Sequence, residues 1–179
     1  MSQAFVDESI AGDYLVACCV IPSSGVAHAR RTVKGLLLPG QRSLHMKDER
    51  AARHGLILDA MVGLAPTVTV YRARPRDLGG SNPARDACLQ LMAQDCVAAG
   101  VTRMVLDRIE SLEVRDRRSI IAGTMAAGAD KVPYSYDHLH RHEELLLALP
   151  DAFAWAYARG GAMRARVVSH LTVRDIGAP

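Results

Sequence analysis

Three aspartates in this chain stand where apolar segments stop or turn, and together they could do metal-ion chemistry. Asp7 lies in Ala4-Phe5-Val6-Asp7-Glu8-Ser9, an apolar strand start that runs into two acids before a Gly12-Asp13 turn. Asp107 closes Arg103-Met104-Val105-Leu106-Asp107, and Asp151 follows Pro150 near the C-terminus. A carboxylate carried by a buried strand is costly unless it is hydrogen-bonded or bound to a cation. Carboxylates at close quarters repel, and a divalent oxygen-loving ion is the usual remedy, so Mg²⁺ or Mn²⁺ fits this ligand set better than zinc. Two such ions about 4 Å apart would activate a water and stabilise the leaving oxygen of a phosphodiester. Each acid also has a purely structural explanation. Asp7 and Glu8 can lead into the turn and satisfy backbone donors there. Asp107 can pair with Arg103 or Arg108, and Asp151 can favour a helix N-terminus.

The elements that must position these acids are legible in outline. Ala4–Ser9 and Tyr14–Pro22 flank the Gly12-Asp13 turn and read as the two strands of a hairpin. Val33–Leu38 is either a third short strand or a helical end, closed by Pro39-Gly40. From Asp48 the pattern becomes helical, with Ala52, Leu56, Ala60 and Leu64 one turn apart and Ile57 and Met61 beside them. Thr67–Tyr71 is a β-branched strand. Asn82-Pro83 opens the next helix, whose stripe is Cys88, Met92, Cys96 and Ala99. Arg103–Asp107 is a strand, and Ser111–Ala127 a helix with arginines on one side and Ile120, Ile121 and Met125 on the other. Lys131–Tyr136 reads as an edge strand. Glu143–Ala158 is helical, and Pro150 either kinks it or opens a second helix. Val167–Val173 fits an edge strand or a short helix equally. A hairpin followed by alternating helices and strands predicts an α/β mixed sheet flanked by helices, and no linker divides residues 1–179. In such sheets ligands gather at the carboxyl ends of strands, where Asp7 and Asp107 both lie late in apolar runs.

Taken in order, these segments resemble the DUF3800 family, proteins with a ribonuclease H-like fold. Phe5-Val6-Asp7-Glu8-Ser9-Ile10 followed by Gly12-Asp13-Tyr14-Leu15-Val16-Ala17-Cys18-Cys19-Val20-Ile21-Pro22 is similar to that family's first strand, with its Asp-Glu-Ser motif, and hairpin. Val101–Arg108 resembles its later strand ending in Asp, and Leu145–Gly160 its C-terminal helix. The chain departs from the pattern at Leu149-Pro150-Asp151, where the family often has Gln two or three residues before the acid and Ala directly before it. The resemblance implies a single ribonuclease H-like domain with a nuclease-type site, Asp7, Asp107 and Asp151 as Mg²⁺ or Mn²⁺ ligands and Glu8 as a neighbouring candidate. His45 and Lys47 resemble a His/Lys segment that these proteins carry after the hairpin. There they would orient a phosphate or shuttle a proton.

Other constellations compete. His138, His140 and His142 alternate, which on a strand would put three imidazoles on one side, a possible zinc or nickel site. Gly79-Gly80-Ser81 before a helix has the makings of a phosphate cradle but lacks the P-loop lysine. Ser9, Ser23 and Ser24 sit in no nucleophile elbow. Cys18, Cys19, Cys88 and Cys96 form no CxxC pair and read as buried free thiols. A composition 49% hydrophobic and 4% aromatic suits an ordinary aliphatic core. The longest apolar runs are too short to cross a bilayer and no signal peptide is visible, which predicts a cytoplasmic protein without a membrane partner. A net charge of +3 does not by itself mark a nucleic-acid binder, although arginine clusters at 30–34, 72–76, 115–118 and 159–166 can contact phosphate. Three functions follow: a metal-dependent nuclease or phosphodiesterase, a non-catalytic ribonuclease H-like module binding nucleic acid or a protein partner, and an enzyme using the same pocket on a small phosphorylated substrate.

Overall fold

Continuous burial along the first two strands, with residues on both of their faces covered, makes them the centre of the molecule. In the computed structural model, which describes residues 1–177, β1 (Ser2–Ala11) and β2 (Asp13–Pro22) form an antiparallel hairpin. Gly12 turns it at φ +87°, a backbone geometry glycine adopts without strain. β3 (Thr67–Ala73) pairs antiparallel with β2, and β4 (Val101–Asp107) runs parallel to β1 on its other side. β5 (Ser135–Leu139) and β6 (Leu171–Ile176) close the two edges, giving the six-stranded order β5-β4-β1-β2-β3-β6. The carboxylate strand β1 is therefore central, as its apolar run predicts.

Helices cover both faces. On one face, α1 (Val26–Leu36), α2 (Ala51–Gly63), α6 (Ala148–Arg159) and α7 (Gly161–Val167) pack on Phe5, Cys19, Val68 and Val105. On the other, α4 (Ser81–Ala98) and α5 (Glu113–Ala126), reached through the single turn of α3 (Pro75–Leu78), pack on Ala4, Val6, Val16, Met104 and Leu106. The strand period of two puts Phe5, Asp7 and Val105 toward α6, and Val6, Glu8 and Leu106 toward α4 and α5. All four cysteines are buried and free.

Several expectations are corrected. Of the two readings of 33–38, the helical end is the one that forms, with residues 33–36 closing α1. α2 begins at Ala51 and buries Ile57, Leu58 and Met61, while Leu56 faces solvent, because the sheet-facing stripe is set by where α6 and α7 lie. α4 starts at Ser81 behind Gly80, which places Asn82 and Pro83 inside the first turn, and Ala99 is exposed past the helix end. Ile121 and Met125 of α5 are exposed in part, at 37% and 43%. Its buried stripe is instead Asp116, Ser119, Ile120, Gly123 and Thr124, small and polar because α5 lies so close to α4 that a Cβ at Gly123 would run into the Gln90 backbone. The edge strand after α5 starts at Ser135, four residues later than its pattern suggests. Pro150 sits in the first turn of α6, where its missing N–H costs nothing. The undecided segment resolves as the end of α7, a 3-10 turn at 168–170 and β6. No helix is long and apolar enough to cross a membrane among the described residues.

Candidate functional site: three carboxylates around one guanidinium

The topology brings Asp7, Asp107 and Asp151 to one place. β1 and β4 run parallel with Val6 opposite Leu106, so Asp7 and Asp107 follow side by side, where the paired part of these strands ends. Both point to the α6 face, and Asp151 enters from the first turn of α6. β5 ends opposite Asp107 at Leu139, and the turn after it swings Arg141 over the strand ends. Arg141 Nη2 lies 2.9 Å from Asp7 Oδ2 and 2.8 Å from Asp107 Oδ2. Thus the partner of Asp107 is Arg141, in place of Arg103, which reaches Asp137 and Glu144, or Arg108.

Backbone and imidazole donors aim the other carboxylates. Asp7 Oδ1 accepts from the Glu8 N–H at 2.7 Å, and Asp151 Oδ2 accepts from the Met46 N–H at 2.7 Å. His45 Nε2 stands 3.3 Å from Asp151 Oδ1, with Nδ1 3.1 Å from Asp48. Asp7 and Asp151 are buried. Burial pushes the Asp7 carboxyl well above the usual carboxylate range, against the pull of Arg141, and the Asp151 and Asp107 charges push it further. Asp107 is raised as well, by burial first and then by Asp151, with Arg141 again opposing. One guanidinium leaves three carboxylates short of positive charge. His45 answers part of that shortfall: its bond to Asp151 raises its pKa and favours the protonated ring, although burial opposes this.

Two candidates lie elsewhere. Glu8 points to the opposite face of β1 and pairs with Arg85. The buried Arg85 also holds Asp116 through Nε (2.6 Å) and Nη2 (2.8 Å) and the Tyr14 hydroxyl at 3.0 Å, while His138 Nε2 lies 3.2 Å from Asp116. Glu8 thus belongs to a charge network between β1, α4 and α5. Lys47 is exposed and makes no ion pair among the described residues. The histidine row does not form on a strand, since β5 stops at Leu139: His138 joins Asp116, and the rings of His140 and His142 stack at 5.4 Å. Arg141 is the member that sequence reasoning missed. Its signal was its place between those two histidines, one turn before the Asp151 helix.

The donor set suits a hard divalent ion, being carboxylate oxygen throughout. As arranged around Arg141, however, no three His, Cys, Asp or Glu side chains among the described residues are gathered closely enough to hold a metal ion. A cavity of about 580 Å³ beside β5 and α5 lies on the opposite face, lined by Arg108, Arg117, Tyr136 and His138, and none of the three carboxylates lines it.

A central hairpin, a parallel β4 and β5, and helices on both faces define a ribonuclease H-like fold. The chain is similar in structure to RNase HII, in the structure of the PCNA:RNase HII complex from Archaeoglobus fulgidus. The TM-score is 0.60 at 14% identity, covering 95% of this chain and 79% of that one. No family model matches the chain, and no curated protein matches it.

Proposed function

We propose that this chain is a divalent-metal-dependent phosphodiester hydrolase acting on nucleic acid, with Asp7, Asp107 and Asp151 as its metal ligands. The observation that carries the reading is the gathering of three carboxylates, from two neighbouring parallel strands and a helix, about the Arg141 guanidinium. The resemblance of the surrounding motifs to the DUF3800 family points the same way. Mg²⁺ or Mn²⁺, when bound, supplies a water activated near neutral pH and positive charge for the phosphate oxygens. The Met46 N–H and His45 keep Asp151 turned toward the other two acids' side of the sheet. His45, favoured in its protonated form by Asp151, is suited to hold a proton at Nε2 and pass it to a leaving oxygen. Arg42, Lys47 and Arg50 are exposed on the segment that carries His45, and none has an ion-pair partner among the described residues. They would draw a polyanion toward the carboxylates. Glu8, committed to Arg85, takes no part.

Wild type and Asp7→Asn, each incubated with Mn²⁺ and single- or double-stranded DNA or RNA, test this directly. Wild type is expected to cleave at least one polymer and to melt at a higher temperature with Mn²⁺; Asp7→Asn is expected to do neither. Wild-type protein that cleaves none of the four and whose melting ignores divalent ions would sink the proposal. That outcome favours the second reading, a non-catalytic module, for which the existing bonds from Arg141 to Asp7 and Asp107 are the specific support.

A further inference from the structure

Arg85 and Arg141 are each held by a buried aspartate, Asp116 and Asp7, and they are held differently. Arg85 uses Nε, Nη1 and Nη2, spreading its fork over Asp116, Glu8 and Tyr14 from inside a long helix. That is how a permanent structural arginine satisfies its donors. Arg141 instead presents one nitrogen, Nη2, to both Asp7 and Asp107, and its Nε is buried without a hydrogen-bond partner among the described residues. An orphaned buried donor is uncommon in a finished native site. Arg141 is also carried by the turn between β5 and the 3-10 turn at 145–147, and its side chain is 21% exposed, so a route to solvent is open to it.

We propose that Arg141 is a built-in cation that occupies the carboxylate cluster in its metal-free form, and that its guanidinium and a divalent ion bind Asp7 and Asp107 in mutual exclusion. The inference rests on the metal-site reading above. It explains why the acids converge although, with Arg141 among them, they do not close on an ion. Two cations placed between the same pair of carboxylates repel each other at contact distance, so one must leave. The metal cannot leave its ligands and still act, whereas Arg141 can swing out on its turn. Metal affinity is then lowered by the population of the arginine-bound form, as for any ligand that must displace another conformer.

The experiment titrates Mn²⁺ calorimetrically into the full chain as wild type, Arg141→Ala and Arg141→Gln, with circular dichroism to establish folding. It also maps phenylglyoxal modification of wild-type arginines by mass spectrometry with and without Mn²⁺. Both variants are expected to bind Mn²⁺ roughly tenfold more tightly than wild type or better, within the usual range of coupling between sites. In wild type, Mn²⁺ is expected to expose Arg141 to modification while Arg85 stays protected. The modification decides the matter even if neither variant folds. Variants that bind Mn²⁺ no more tightly than wild type, or an Arg141 whose reactivity saturating Mn²⁺ leaves unchanged, overturn the exclusion while the metal site itself stands. Absence of Mn²⁺ binding in wild type and variants alike overturns both.

Discussion

Removing Arg85 should unfold the protein far more readily than removing any surface arginine. Arg85 is 2% exposed and Asp116 is 0% exposed, and the two share a bidentate pair at 2.6 and 2.8 Å. Arg85→Met keeps the volume of the side chain but leaves Asp116 with only the His138 contact, and Glu8 without its cation. Breaking a buried pair by deleting one partner costs about 3–5 kcal/mol, because an uncompensated charge remains inside. Glu8 adds little, since it reaches some solvent and can be hydrated. For a chain of this size about 1 kcal/mol moves the melting midpoint by roughly 2–4 °C, so a fall of roughly 6–20 °C is expected. Urea unfolding followed by circular dichroism measures the same loss independently. Replacing both partners, Arg85→Met with Asp116→Leu, should recover much of it, as buried pairs exchanged whole for apolar groups are often close to neutral. A loss below about 1 kcal/mol in Arg85→Met would refute the claim that this network is buried and unhydrated. An Arg85→Met protein that folds but loses its Mn²⁺ response would instead return Glu8 to the site.

The same network sets a pH dependence. Burial pushes Asp116 up, but the bonds from Arg85 and His138 outweigh it and hold its pKa below the ordinary value of 3.8. A carboxylate depressed in the folded state contributes stability above its unfolded pKa and loses it as pH falls through the folded one. Stability should therefore decline below about pH 4, and urea titrations of Asp116→Asn should show a flatter acid limb; an unchanged limb counts against the assignment. Gly123→Ala forces a methyl into the Gln90 backbone across the α4–α5 contact, and a loss of about 1–3 kcal/mol is expected by thermal melting. A neutral result there would mean that α4 and α5 are not so closely packed.

Much of the fold was legible because strand and helix periods survive in a single chain. The hairpin, the β-branched run at 67–71 and the apolar strand ending in Asp107 each carry their own pattern, and all three form strands. The faces of α2 and α5 were not legible. Leu56, Ile121 and Met125 look like core residues by type, but exposure is settled by the neighbour each helix meets. α5 meets α4 at glycine distance, which buries Asp116 and Thr124 and turns larger side chains outward.

For the site, the sequence by itself determined which acids were worth following: Asp7 lies late in the apolar run of its strand, Asp107 ends its strand, and Asp151 follows Pro150 at a helix start, while strand alternation puts Glu8 on the other face of β1 from Asp7. It could not say what neutralises them. Arg141 lies more than thirty residues from Asp107 and far from Asp7, and only the parallel pairing of β4 with β5 carries its turn across both. Arg85 finds Glu8 and Asp116 in the same way, through the packing of α4 on α5 and the sheet. Charge pairing in a folded chain acts through space over a few ångströms, and sequence separation says little about which cation will be within that reach.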